Sequence, residues 1–305
     1  MTNTVSEMTS LRRRFRALVL APELLVMPGA YDALSAKLIA AAGFKAVGAG
    51  GYAAIGSMMG EADGGQSNVR DYADHYARIA GAVELPVLAD ADTGFGGTGN
   101  VRQMVRAFED AGVAAILFSD QVFPNRCGYL PGKQVVPPET MVARILAAVD
   151  ARRDPDMVII ARTDVMALDG LDAAIARCRL YLQAGADFAK PQGVDKAADL
   201  ARVVKDVPCP HIATQSNAAG MQHLSWAELS DLGVAGVTLP SACLFAAAEG
   251  VRRMLESAKR NGSLANMGEH AISLADYYRT VGLADQNERE KRYDAEAARM
   301  VRKWE

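Results

Sequence analysis

The chain has 305 residues, 50% of them hydrophobic and 23% charged, enough to bury a core without disulfides or a structural metal. Its 33 basic and 36 acidic side chains leave a formal charge of −3, which argues against a broad nucleic-acid-binding surface. The four cysteines, Cys127, Cys178, Cys209 and Cys243, form no CxxC pair, so zinc knuckles and dense disulfide frameworks are excluded and a reducing cytoplasm is expected.

Near the N-terminus, Arg12, Arg13, Arg14 and Arg16 precede an apolar stretch over 17–27. Pro22 and Glu23 interrupt it and it is too short to span a bilayer, so neither a signal peptide nor a membrane partner is expected. Further along, apolar runs predict strands over 24–30, 46–51, 86–92, 114–121, 157–164, 187–193, 210–215 and 236–241. Most are nearly continuous, as parallel strands covered on both faces should be. Four of them follow a glycine, Gly43, Gly112, Gly185 or Gly233, placed to end a helix in the left-handed conformation.

Between the strands lie helical patterns. Val101, Met104, Val105 and Phe108 share one face, as do Leu171, Ile175, Cys178 and Leu182. Pro137-Pro138-Glu139 reads as a helix opening. Eight βα units predict an α/β fold, a closed (β/α)8 barrel over 1–262, rather than an open doubly wound sheet. Residues 263–305 read as a polar helical arm suited to subunit contacts.

Chemistry in such barrels gathers at the C-terminal ends of the strands. The third strand ends in Asp90-Ala91-Asp92, whose alternation would point both carboxylates to one side. Such a pair needs protons, hydrogen bonds or a hard divalent ion beside it. The fourth runs from Ser119-Asp120-Gln121 into a loop with the composition of a hinged lid, carrying Arg126, Cys127 and Tyr129. Arg126 and Gly128 beside Cys127 would suit a reactive thiol, although these residues by themselves favour an inert loop cysteine. Arg162 could grip a substrate carboxylate, or staple the mouth through Asp164 or Asp92. On the sixth strand Lys190 and Gln192 share a face, and a lysine without an acid partner there would be an imine candidate. Tyr31, Gly50 and Gly51 follow the first two strands, where the glycines let the backbone approach an anion closely. The histidines show no metal-ligand spacing, and Gly94–Gly99 fits no nucleotide fingerprint.

Read together, Pro28-Gly29-Ala30-Tyr31-Asp32, Asp90-Ala91-Asp92-Thr93-Gly94-Phe95-Gly96, Asp120-Gln121, Arg126-Cys127-Gly128 and Ala161-Arg162-Thr163-Asp164 resemble the isocitrate lyase/phosphoenolpyruvate mutase superfamily. The resemblance runs from about Arg12 to Gly262 and looks closest to methylisocitrate lyases and carboxyphosphonoenolpyruvate phosphonomutases. It implies a barrel whose last helix is exchanged in a homodimer or homotetramer. It also implies Mg²⁺ or Mn²⁺ held by Asp63, Asp90 and Asp92, and a small 2-hydroxy or 2-keto acid as ligand. Arg162 would hold a carboxylate and Cys127 would deliver a proton during carbon–carbon cleavage.

The sequence also departs from the family. Ser119 and Gln192 stand where the family has glutamates, Ala49 where it has serine and Thr214 where it has asparagine. Asn125 and Tyr129 flank the cysteine in place of lysine and histidine, and Lys190 takes a usually apolar position. These departures imply a divergent carbon–carbon lyase with an altered substrate or weakened metal dependence. The alternatives are a phosphonomutase, a 2-keto acid hydrolase or decarboxylase, an imine-forming enzyme using Lys190, or a non-catalytic ligand-binding homologue.

Overall fold

The computed structural model describes residues 4–126, 132–216, 223–264 and 271–304. Helix α1 (Val5–Leu20) opens on a capping box between Thr4 and Glu7. It is followed by β1 (Leu25–Pro28), α2 (Ala33–Ala41), β2 (Val47–Ala49), α3 (Gly51–Met59) and α4 (Val69–Ala80). Next come β3 (Val87–Asp90), α5 (Thr98–Asp110), β4 (Ala115–Ser119), α6 (Pro138–Ala151), β5 (Val158–Thr163) and α7 (Met166–Gln183). The series closes with β6 (Phe188–Pro191), α8 (Ala197–Asp206), β7 (Ile212–Thr214), α9 (Trp226–Asp231), β8 (Gly236–Leu239) and α10 (Ala242–Asn261). All eight expected strands are present. The junction glycines Gly43, Gly112, Gly185 and Gly233 all have positive φ, as the helix-stop pattern requires.

The strands are parallel and their order runs in a circle. One run is β2-β3-β4-β5-β6 and the other β1-β8-β7. A parallel bridge from Gly29 to Gly48 joins β1 to β2. Across the remaining seam, Lys190 Nζ donates to Thr214 Oγ1 at 2.8 Å. The result is the (β/α)8 barrel, not an open sheet.

Strand alternation divides the core. Leu25, Met27, Leu88, Ala115, Val158, Ile160, Phe188 and Ile212 pack with Phe15 and Val19 of α1. Ala89, Ile116, Phe118, Ile159, Ala161 and Ala189 face the helices. The parity that points Val158 and Ile160 inward also points Arg162 inward, and the same holds for Phe188 and Lys190. The basic N-terminal cluster ties α1 to the strand starts, with Arg12 on Asp154 and Arg16 on Asp187, each at 2.8 Å.

One backbone approach is exceptionally close. A Cβ added at Gly29 would lie 2.3 Å from the Pro240 carbonyl oxygen, backbone that has nowhere to retreat. Gly29→Ala should therefore destabilise the barrel by about 1–3 kcal/mol, read as a lowered urea midpoint at unchanged slope.

Two compact units divide the chain, Met1–Phe245 and Ala246–Glu305. The second contains the remainder of α10, then α11 (Leu274–Val281) and α12 (Leu283–Trp304). No described residue of these three helices is buried, and Leu255, Leu274, Val301 and Trp304 are exposed. Among the described residues no helix is long and apolar enough to cross a membrane.

Candidate active site

A cavity of about 130 Å³ opens at the C-terminal ends of the strands. Gly50, Gly51, Asp63, Asp90, Arg126, Arg162, Lys190, Gln192 and Thr214 line it, joined by Asn125 and Thr238. Asp92 lies buried just beyond Asp90, outside the lining, and half-buried Tyr31 does not reach it. Cys127 and Tyr129 lie outside the described residues.

The acidic wall is assembled by a turn rather than by alternation. β3 stops at Asp90, and Asp92 adopts a left-handed φ of 55°. Its N–H donates back to Asp90 Oδ1 at 3.0 Å, while its carbonyl accepts the Ser119 N–H at 2.8 Å. The expectation that a strand through residue 92 would align the two carboxylates is thus corrected: the chain turns before Asp92. Asp90 Oδ2 accepts the Gly51 N–H at 3.2 Å, at the positive end of α3. The anion that this glycine pair approaches is the protein's own.

Three carboxyls crowd this wall. Burial, with Asp90 close by, pushes Asp63 up to about 6 despite Arg162. Burial and the charges of Asp90 and Asp63 push Asp92 up to about 7. Asp90 is also raised by burial, against the opposing pull of Arg162. Among the described residues Asp63 Oδ1 and both Asp92 carboxylate oxygens are buried outside hydrogen-bond geometry, with Thr93 only partly offsetting the rise at Asp92. No group of three or more His, Cys, Asp or Glu side chains among the described residues is placed to hold a metal ion. The acids therefore fit a hard divalent ion only as partial ligands, with water or substrate oxygens supplying the rest.

Beside the acids stands a cationic group. Asp164 accepts from Arg162 Nη2 at 2.9 Å and faces its Nε at 2.8 Å. Lys133 Nζ reaches the same carboxylate at 3.2 Å. Burial would raise Asp164, yet Arg162 and Lys133 outweigh it and hold the carboxyl below its ordinary value. Asp164 occupies one edge of a five-donor guanidinium, and Arg162 still lines the cavity. This is the stapling arrangement that the sequence left open as an alternative to carboxylate binding.

Two supporting features carried no assigned role in the sequence. Asp120, fully buried, accepts from Thr163 Oγ1 at 2.7 Å, the Asp164 N–H at 2.9 Å, Arg177 Nη1 at 3.0 Å and Tyr181 Oη at 2.7 Å. Gln121 clamps the loop through two 3.0 Å bonds with the Arg126 backbone. The Asp120-Gln121 pair stood out as a motif. Arg177, Tyr181 and Lys133 had no pattern to mark them, since their partners lie 57, 61 and 31 residues away.

Residues 15–259 match the Phosphoenolpyruvate phosphomutase family. The chain belongs to the phosphoenolpyruvate mutase/isocitrate lyase superfamily. It is 34% identical over 280 residues to 2,3-dimethylmalate lyase of Eubacterium barkeri, covering 92% of this chain and 97% of that protein. Oxaloacetate acetylhydrolase, solved with the inhibitor 3,3-difluorooxalacetate, superposes with a TM-score of 0.88 at 29% identity, over 94% of this chain and 98% of that one. Phosphonopyruvate hydrolase, solved with oxalate and Mg²⁺, gives 0.83 at 26% identity, over 92% and 98%. The chain is an enzyme of this superfamily, whose members include carbon–carbon lyases and phosphomutases.

Proposed function

We propose that this superfamily member is a carbon–carbon lyase acting on a small 2-hydroxy carboxylic or dicarboxylic acid. The observation that carries the reading is a cavity lined by both kinds of charge, with Arg162 close enough to Asp63 and Asp90 for its charge to act on both. A hydroxy acid fits that polarity, its carboxylate toward the guanidinium and its hydroxyl toward the acids. Mg²⁺ or Mn²⁺, held by Asp63, Asp90 and Asp92 together with water or substrate oxygens, would act as a Lewis acid on the substrate oxygens. Ser119 and Gln192 carry no charge, so the holding is expected to be weaker than with acids at those positions.

In this reading Arg162, fixed by Asp164, orients the substrate and stabilises the charge that develops on cleavage. One of the acidic carboxyls lining the cavity accepts the hydroxyl proton. Cys127 returns a proton to the enolate-like fragment, a role that rests on the family resemblance. The exposed apolar residues of the second unit support assembly as a homodimer or homotetramer. Cys178, Cys209 and Cys243 are unpaired thiols, which suits the cytoplasm.

A panel of 2-hydroxy mono- and dicarboxylic acids, assayed for 2-keto acid release with Mg²⁺ or Mn²⁺, tests the reading. Metal-dependent release from at least one acid is expected; none across the panel would refute it. Cys127→Ser should lower kcat by about 10²–10⁴-fold while leaving keto-acid binding intact. Full turnover in that variant would remove Cys127 from the chemistry.

A further inference from the structure

One side chain in the cavity belongs to neither group. Lys190 is 4% exposed and lines the cavity beside Thr214 and Thr238. Its Nζ donates to Thr214 Oγ1 at 2.8 Å, and that oxygen lies 3.2 Å from Thr238 Oγ1. Among the described residues no carboxylate oxygen lies within 4 Å of Nζ. A buried ammonium is costly without an acid beside it. Burial, with the charge of Arg162 nearby, lowers Lys190 to about 7. The uncharged nucleophilic amine is therefore well populated at neutral pH, unlike that of a surface lysine.

Its position also suits an electrophile. Lys190 and Arg162 are register partners on the adjacent strands β6 and β5. A 2-keto acid whose carboxylate is held by Arg162 would carry its carbonyl carbon one bond away, inside the cavity that Lys190 also lines. The two threonine hydroxyls form a short chain that can pass protons to and from the reacting nitrogen and oxygen.

We propose that Lys190 forms an imine with a 2-keto acid bound in this cavity, giving the enzyme a covalent chemistry beside the lyase reaction. The proposal takes from the lyase reading only that the cavity admits 2-keto acids. In the condensation Nζ bonds to C2 and the C2–O bond breaks. The two amine hydrogens leave with that oxygen as water. The imine nitrogen then takes one proton from solvent through the Thr214 and Thr238 hydroxyls, and the resulting iminium can accept the electron pair of a bond cleaved at C3.

The test is borohydride trapping on the full chain, with pyruvate or oxaloacetate in the presence of EDTA, followed by peptide mass mapping. The reduced adduct should fall on Lys190, enriched about a hundredfold over surface lysines whose amines are mostly protonated. It should be absent with lactate, which has no carbonyl, and absent in Lys190→Arg with unchanged circular dichroism. No adduct at Lys190 with either keto acid, or labelling that survives Lys190→Arg at equal yield, would overturn the proposal. Metal-dependent turnover is measured in parallel. Turnover without an adduct sinks the imine and leaves the lyase reading, whereas an adduct without turnover does the reverse.

Discussion

Asp120→Ala should lower the unfolding free energy by about 3–5 kcal/mol, the cost of leaving a buried charge uncompensated. The carboxylate is the hub of the strand 4–strand 5 edge. It accepts four hydrogen bonds, one from the Asp164 backbone and one from a largely buried Arg177. Alanine would strand the guanidinium of Arg177 and the hydroxyl of Tyr181 in a region closed to water. Asp120→Asn keeps the shape but loses the charge, so it should cost less. Urea unfolding read by circular dichroism checks both. A loss below about 1 kcal/mol for alanine would show that water replaces the carboxylate. Because Asp120 also fixes the backbone at Asp164, the partner of Arg162, the asparagine variant should lose catalytic efficiency even where it stays folded.

Asp92→Asn is expected to move stability and activity in opposite directions. Among the described residues both carboxylate oxygens are buried outside hydrogen-bond geometry, and the like charges of Asp90 and Asp63 outweigh the help from Thr93. Removing that charge relieves repulsion, so the metal-free variant should be more stable than wild type by about 1–3 kcal/mol above neutral pH. The same change should abolish stabilisation by Mg²⁺ and reduce turnover by about 10²-fold or more. The pH profile has a definite sign. Asp63 and Asp92 have folded values of about 6 and about 7, above their ordinary value of 3.8. The folded state thus holds protons that the unfolded chain has released, and stability falls as pH rises through that window. The advantage of Asp92→Asn should accordingly be small near about pH 4 and largest near about pH 8. Thermal unfolding with EDTA or Mg²⁺ across this range is the measurement. A variant less stable than wild type at high pH would show that the Asp92 charge has a partner in the folded protein.

The positions at which sequence reasoning stopped share a physical cause. Arg162 could be placed at the end of an inward-facing strand, because periodicity of two and the run of preceding apolar residues are local. Whether it pairs with Asp164 depended on the rotamer it takes once Lys133 returns from a loop of more than ten residues. The strand before Asp92 was read two residues too long. The left-handed turn there combines the tolerance of aspartate for positive φ with contacts to Asp90 and Ser119 that lie outside any local pattern.

By itself the sequence determined the eight strands, their parallel and doubly covered character, and the glycines that end the helices. It also carried the family membership. These follow from interactions between residues a few positions apart, where spacing and backbone preference act directly. The family resemblance had grouped Asp63 with Asp90 and Asp92, whereas the tertiary structure alone decided that Asp120 gathers Thr163, Arg177 and Tyr181 and that Lys190 meets the Thr214 hydroxyl. Each of those depends on closing the strands into a ring, because only then do side chains far apart in the chain share one desolvated space. There, the charge of each neighbour decides whether a group keeps its proton.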